Sequence, residues 1–402
     1  MTEGTAHVAV SKHQQSALSN FQNEIYLNGL GGEVPQFPCD YAALEAAARQ
    51  VLTPEAFAYV AGSAGLERTE RANRAAFDKW AIVPRFLRDV DERDWSTNVL
   101  GTPFPGPVAL APVGVQGIVH PEAELAVARA AASLGVPMVL STVSSYRLEE
   151  VADTLGDSPS WFQLYWPRDQ AVAASLLRRA KAAGFAALVV TLDTFVLAWR
   201  PRDLAAAYLP FLRRLGLANY ESDPAFVAGL PGPPDEYPDA SIMHWVSMFG
   251  DPTKTWPDLA WLREQWDGPI LLKGVLHPDD AVKAAEAGMN GVIVSNHGGR
   301  QVNGAIASLD ALPAIVDAVR DRLDVLFDSG IRGGSDIVKA LALGARAVLI
   351  GRPYVYGLGI GGEEGVRHVL RSLLAEFDLT MALAGCRSIS DLGEHVLLPH
   401  RA

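Results

Sequence analysis

Cysteine is nearly missing from this chain: 402 residues contain only Cys39 and Cys386. Two cysteines so far apart make no disulfide framework, and no Cys/His cluster has metal-ligand spacing, so no metal site is expected. Long apolar runs are missing as well. No stretch reaches the about 18 apolar residues that a bilayer span needs, and the N-terminal MTEGTAHVAVSKHQQ lacks the apolar segment of a signal peptide. Basic charge is in deficit, with 34 Lys and Arg against 46 Asp and Glu and a net charge of −12. That balance argues against nucleic acid or an anionic membrane surface as a partner. It does not exclude an acidic small molecule, which responds to the local field of a pocket. The expectation is a soluble cytoplasmic protein. A glycine-rich dinucleotide turn is also lacking: GVQG after Pro112 is not GxGxxG.

What the chain does have is a repeat. Hydrophobic residues make up 49% of it, enough for a sizeable core. Short, continuously apolar runs recur at 107–114, 137–141, 161–165, 187–193, 269–274, 291–296, 324–330 and 347–353. Runs of that kind suit parallel strands buried on both faces. Between them lie amphipathic stretches at 123–135, 169–184, 278–288 and 333–344, each ending in Gly. Eight such units in series predict an α/β fold of the (β/α)8 TIM-barrel class, spanning about 107–385. The whole chain, 1–402, reads as one domain. Residues 20–106 form a helical extension that covers the bottom or side of the barrel.

About 75 residues separate the fourth run from the fifth, far more than an ordinary connection. The segment leaves from the C-terminal end of strand four, where barrel active sites sit, so 203–256 reads as a lid-like insertion. Its middle, LPGPPDEYPDASIMHW (230–245), is rich in Pro and Asp with weak periodicity. His244 and Trp245 lie within it and are candidates for substrate contact, whereas His277 reads as a helix-start residue. Polar residues collect at the strand ends: Ser141, Gln163 with Tyr165, Thr191 with Asp193, Lys273, Ser295 with His297, and Asp328. In a barrel those positions face the ligand site.

Several blocks make the likeness specific. SNHGGRQ (295–301), LFDSGIRGGSDIVKALALGA (326–345), IGRP (350–353) and LTMALAGCRSI (379–389) resemble the signature blocks of the FMN-dependent L-2-hydroxy-acid dehydrogenase and oxidase family. FQLYWPRD (162–169), VTLDT (190–194), PILLKG (269–274) and AFAYVAGSAG (56–65) add to it, and the similarity covers about residues 20–395. Within the family the likeness is nearest to its lactate 2-monooxygenase members, on NEIYLNGLGG (23–32), WRPRDL (199–204) and APVGV (111–115).

The resemblance implies FMN as cofactor and L-lactate or a similar 2-hydroxy acid as substrate, with O2 as oxidant. It implies His297 as the base that takes the substrate hydroxyl proton, paired with Asp193. Arg300 would form a bidentate pair with the substrate carboxylate, with Arg200 as the second active-site arginine and Tyr26 and Tyr165 hydrogen-bonding substrate oxygens. Lys273 would answer the negative charge that develops on the reduced flavin. For the cofactor it implies Ser141, Gln163, Thr191 and Ser295 at the ring, and Asp328, Gly330, Arg332, Gly351 and Arg352 at the ribityl and phosphate groups. Pro112, Val113 and Gly114 would form the turn facing the flavin.

Two departures stand out. Many family oxidases carry Ala where this chain has Gly114, which leaves the space of a methyl, and glycolate-oxidising members carry Trp where it has Val143. The expected reaction is L-lactate plus O2 to acetate, CO2 and water. The alternative is an oxidase releasing ketoacid and hydrogen peroxide, and behind it a quinone-linked dehydrogenase, for which the acidic 230–240 segment offers no membrane contact. A flavin-binding scaffold without turnover would have lost His297, Arg300 or Lys273. The resemblance also implies a homo-tetramer or homo-octamer.

Overall fold

Eight short strands close into a parallel barrel in the order of the sequence repeat. They are β1 (Val108–Leu110), β2 (Met138–Ser141), β3 (Ser160–Leu164), β4 (Ala187–Thr191), β5 (Ile270–Val275), β6 (Gly291–Val294), β7 (Asp324–Phe327) and β8 (Ala347–Ile350). β8 pairs with β1 through Val348 and Val108, which closes the ring. The computed structural model describes residues 20–400, so the MTEGTAHVAVSKHQQ segment lies outside the described residues. Among the described residues no helix is long and apolar enough to cross a membrane.

The barrel interior is filled by alternate residues, among them Ala109, Val139, Trp161, Val189, Leu271, Ile293 and Leu349. Val99 and Phe104 from a hairpin (97–99 with 102–104) join this inner cluster. The Trp161 indole N–H donates to Thr102 at 3.2 Å, so the extension plugs the bottom of the barrel. Outward-facing residues such as Leu188, Val190, Leu272 and Val294 pack against the helices. The last helix, Arg352–Ala384, bends at Gly361 and Gly362.

The extension folds as helices Phe21–Leu30, Tyr41–Val51, Pro54–Ala61 and Arg68–Asp78. It is tied to the C-terminal part of the chain. Arg93 forms a two-pronged pair with the buried Asp378, at 2.7 and 2.6 Å, and Arg74 pairs with Asp336 at 2.8 Å. Strand Trp80–Ile82 runs antiparallel to Leu397–Pro399.

The insertion is more ordered than its weak periodicity suggests. Its prolines start helices: Pro210, Pro224 and Pro238 each occupy the first turn of one, where a missing N–H costs nothing. An aromatic core holds these pieces together, with Trp245 stacked 4.6 Å from Phe211 and tilted against Phe249 at 4.7 Å. His244 packs 4.8 Å from Phe226. His244 and Trp245 therefore belong to the insertion's own core and do not line the active-site cleft. His277 caps the helix Pro278–Glu286 by accepting from Asp279 N–H.

The close packing of two helices yields a stability test. At Gly334, in the helix Gly334–Ala342, a Cβ would run into the backbone of Glu376 and Phe377, whereas at Gly29 it would meet nothing within 4 Å. Gly334→Ala should therefore destabilise the protein by about 1–3 kcal/mol through overpacking. Gly29→Ala should be neutral or slightly stabilising, because Ala favours helix. Thermal unfolding of the two variants beside the parent checks this, and equal melting temperatures would show that the helices are not so tightly apposed.

Candidate active site

At the C-terminal mouth of the barrel the strand ends surround a cleft of about 1180 Å³, open to solvent on one side. His297 enters it from the turn after β6. Its backbone is left-handed, at φ +58, and is followed by Gly298 and Gly299 at +64 and +78. The SNHGG sequence makes that turn. Ser295 Oγ accepts the His297 N–H (3.0 Å), Asn296 Oδ1 accepts the Gly299 N–H (3.0 Å), and Ser329 Oγ accepts the Gly298 N–H (2.9 Å). Asn296 also exchanges amide hydrogen bonds with Asn73 of the extension, at 2.6 and 2.8 Å.

His297 Nδ1 lies 2.8 Å from Asp193 Oδ1, and Thr194 Oγ1 donates to the same oxygen at 2.8 Å. A carboxylate at Nδ1 fixes the proton there, which leaves the Nε2 lone pair free. Burial lowers the imidazole pKa below its ordinary value against the pull of Asp193, so the ring is neutral at pH 7. Burial would raise the Asp193 carboxyl, but His297, Lys273 and two hydrogen bonds overcome it and hold it near 2. Room for Asp193 comes from a bulge in β5. Gly274 sits at φ +106, and a Cβ there would meet the Asp193 carboxylate at 2.8 Å.

Arg200 and Arg300 share the same cleft. Arg200 donates to the Arg300 carbonyl (3.1 Å) and to Gln301 Oε1 (2.8 Å). Arg300 donates to the carbonyls of Tyr59 and Gly62, both at 2.6 Å, and lies over the Tyr59 ring. Burial, and Arg200 beside it, draw the Arg300 guanidinium down to about 10, so it stays charged at neutral pH. The Tyr165 ring lies 6.5 Å from that of His297, and burial pushes its hydroxyl pKa up.

Tyr26 requires a correction. It is 66% exposed on the helix Phe21–Leu30, its hydroxyl meets Gln22, and it does not line the cleft. Tyr59, from the helix Pro54–Ala61, lines the cleft instead.

Lys273 Nζ reaches Ser295 Oγ at 2.9 Å and Asp328 Oδ2 at 3.1 Å. Burial works against its charge, but Asp328 and Asp193 outweigh that and raise its pKa. Ser141, Gln163 and Thr191 do not line this cleft. They form a buried row, Ser141 Oγ donating to Gln163 Oε1 (3.1 Å) and Gln163 Nε2 to Thr191 Oγ1 (2.9 Å). Pro112, Val113, Gly114, Asp328, Gly330, Arg332, Gly351 and Arg352 all line the cleft. The methyl-sized gap expected at Gly114 does not exist. A Cβ there would meet Val143 Cγ2 at 2.5 Å and the Val143 carbonyl at 2.8 Å.

The charge inventory says what the cleft is built to hold. Arg200, Lys273, Arg300, Arg332 and Arg352 line it against one carboxylate, Asp328, with Asp193 just behind. About three positive charges are left over. A phosphate monoester near two negative charges together with one substrate carboxylate would match them. Arg332 has no carboxylate within hydrogen-bonding distance, Glu70 being 3.7 Å away, and Gly351 opens the helix Arg352–Ala384, whose N-terminus favours an anion. A Cβ on Gly351 would project into space bounded only by Val113 and Ala111, at 3.7 Å and beyond. The residues present fit FMN, and Arg332, Arg352, Gly330 and Gly351 would hold its phosphate.

Residues in and behind the site went unnoticed in the sequence, Tyr59, Thr194 and Glu124 among them. Tyr59 and Thr194 sat inside quoted blocks, AFAYVAGSAG and VTLDT, and could have been found there. Glu124 had no signal, because an acid in a first helical turn looks solvated. It is fully buried, and it accepts from Gln116 N–H at 3.3 Å and from Ser145 N–H at 3.0 Å. It thereby ties the turns after β1 and β2 together, while burial raises its carboxyl to about 7.

Comparison with known proteins agrees with this architecture. The chain is 47% identical over 376 residues to an FMN-dependent alpha-hydroxy acid dehydrogenase of Penicillium citrinum, covering 92% of this chain and 94% of that one. It is 44% identical over 369 residues to an L-lactate oxidase of Lysinibacillus sphaericus, covering 92% and 95%. The crystal structure of a mandelate oxidase with (S)-4-hydroxymandelic acid superposes with a TM-score of 0.80 at 40% identity, over 90% of this chain and 98% of that one. Residues 48–399 match the sequence profile of the FMN-dependent dehydrogenases. With its FMN-shaped charge and its His–Asp pair, the chain belongs to the FMN-dependent dehydrogenase family and is an FMN-dependent oxidoreductase.

Proposed function

We propose that this protein oxidises L-lactate with O2 and retains the pyruvate until it becomes acetate, CO2 and water, the reaction of a lactate 2-monooxygenase. The observation that carries the reading is the neutral His297 imidazole, paired with the ionised Asp193 carboxylate, facing Arg200 and Arg300 in one cleft. Such a cleft suits a small acid with a hydroxyl beside its carboxylate. The relatives named for 2-hydroxy acids support the substrate class.

In this reading the two arginines fix the substrate carboxylate, which turns the hydroxyl toward His297 Nε2. His297 takes the hydroxyl proton as the Cα–H bond breaks, and Asp193 stabilises the imidazolium at Nδ1. Tyr165 and Tyr59 orient the substrate oxygens. The bound FMN supplies the two-electron acceptor beside the substrate. Lys273, kept charged by Asp328 and Asp193, answers the negative charge that arises there. Phe211 and Phe249 of the insertion roof the cleft and slow the loss of pyruvate. Pyruvate held beside hydrogen peroxide is attacked at its carbonyl carbon, loses CO2 and leaves acetate and water.

A second reading is an oxidase that releases pyruvate and peroxide. The relative named as an L-lactate oxidase and the contact between Gly114 and Val143 both favour it.

Loss of the base and loss of the clamp should look different. His297→Ala should slow anaerobic flavin reduction by L-lactate while substrate still binds. Arg300→Ala should weaken L-lactate binding by about 2–5 kcal/mol, the cost of breaking a buried charge pair. Stopped-flow titration separates the two, and a clamp variant that binds L-lactate like the parent contradicts the role given to Arg300.

The lowered pKa of His297 sets a pH dependence. The base form dominates above that pKa, so kcat/KM should be flat around neutrality and fall only below about 6.5, the ordinary histidine value. A profile still rising above pH 7 would show that the ring is protonated at rest.

Product analysis decides between the two readings. Aerobic turnover of L-lactate should give acetate with little peroxide. Gly114→Ala should shift the balance toward peroxide and pyruvate, because the added methyl must push the β1 turn away from Val143. If the parent releases stoichiometric peroxide and no acetate, the oxidase reading takes the first place.

A further inference from the structure

A second cleft, of about 1130 Å³, lies against the outer side of β4 beneath the segment 250–256. Its walls are mostly apolar, with Trp166, Leu192, Phe195, Trp256 and Leu259 prominent. Its charged groups, Lys254 and Asp251, neutralise each other at 3.4 Å, and Lys254 rests over the Trp166 ring. Two residues, Tyr165 and Thr194, line this cleft and the active-site cleft alike. The wall between the two is one side chain thick at that point. Thr194 Oγ1 is 3.2 Å from His297 Nδ1, so the partition lies beside the reacting centre.

We propose that this second cleft admits O2 to the active site while the front cleft is occupied by the ketoacid. The inference rests on the reading that pyruvate is retained. If pyruvate stays, it blocks the mouth through which it entered, and O2 must arrive by another way. O2 is small and apolar, and an apolar cavity draws in such molecules as it draws in xenon. Polar substrate and product are poorly served by the same walls, so the cleft separates the oxidant from the acid.

The test uses the FMN-bound enzyme and two variants outside the catalytic set. Leu259→Trp fills the cleft from inside, and Pro252→Trp closes it from the exposed rim, where folding is not at stake. Crystals under xenon pressure should show a xenon atom in this cleft in the parent and none in Leu259→Trp. The reduced enzyme carrying pyruvate should react with O2 about tenfold more slowly in either variant, equivalent to about 1.4 kcal/mol of barrel-side access barrier. The pyruvate-free reduced enzyme and anaerobic reduction by L-lactate should be unchanged. A parent without xenon there overturns the proposal, as does a pyruvate complex whose O2 rate ignores both substitutions. If the parent simply releases pyruvate and peroxide, the retention reading fails, while the xenon site and the O2 rate of the pyruvate complex still judge the cleft.

Discussion

The site depends on how five cations are held in one cleft with only Asp328 and Asp193 to balance them. Arg300 and Arg352 bond mainly to backbone carbonyls: Tyr59 and Gly62 for the first, Val60, Gly62 and Gly298 for the second. Four of those five contacts go to the C-terminal end of the helix Pro54–Ala61, whose last carbonyls have no partners within the helix. The negative end of that helix stabilises two guanidinium groups by dipole. A carboxylate in its place would cancel the charge that the ligands need. The extension is therefore part of the anion site.

The barrel was legible because burial on both faces writes itself as apolar runs, and each of the eight strands overlaps a run read from the sequence, with Ser160 and Val275 lying one residue beyond theirs. Strand ends were read a little long: β4 stops at Thr191, which leaves Asp193 free to turn toward His297. The cleft residues after β5 to β8 were legible from their motifs. The extension was not. Tyr26 and Tyr59 both sit on helices before the barrel, and no periodicity tells which helix faces the mouth. That choice is made by contacts such as Arg300 with Gly62, 238 residues apart. Glu124 was invisible for a related reason, since its burial depends on two loops folding over it.

The Gly114 position shows the limit of reading single residues. A small residue in sequence suggests space, but Val143 from the next strand's turn occupies that space. Glu124 ties both turns, so the two departures from the family pattern form one packed unit. The insertion gives a parallel lesson. Its prolines look like breakers of structure, yet they begin helices whose aromatic core builds the roof.

The reciprocal amide bonds between Asn73 and Asn296 carry a consequence for how the molecule comes into being. They join the turn that carries His297 to a helix made more than two hundred residues earlier, and Arg352 then joins the same early region from further on still. A growing chain can complete much of its barrel wall and still own no binding site. The chamber closes only when nearly the last quarter of the polypeptide returns to the first. Contacts of such long range are slow to form. A half-made or truncated chain therefore has no place to seat a redox cofactor.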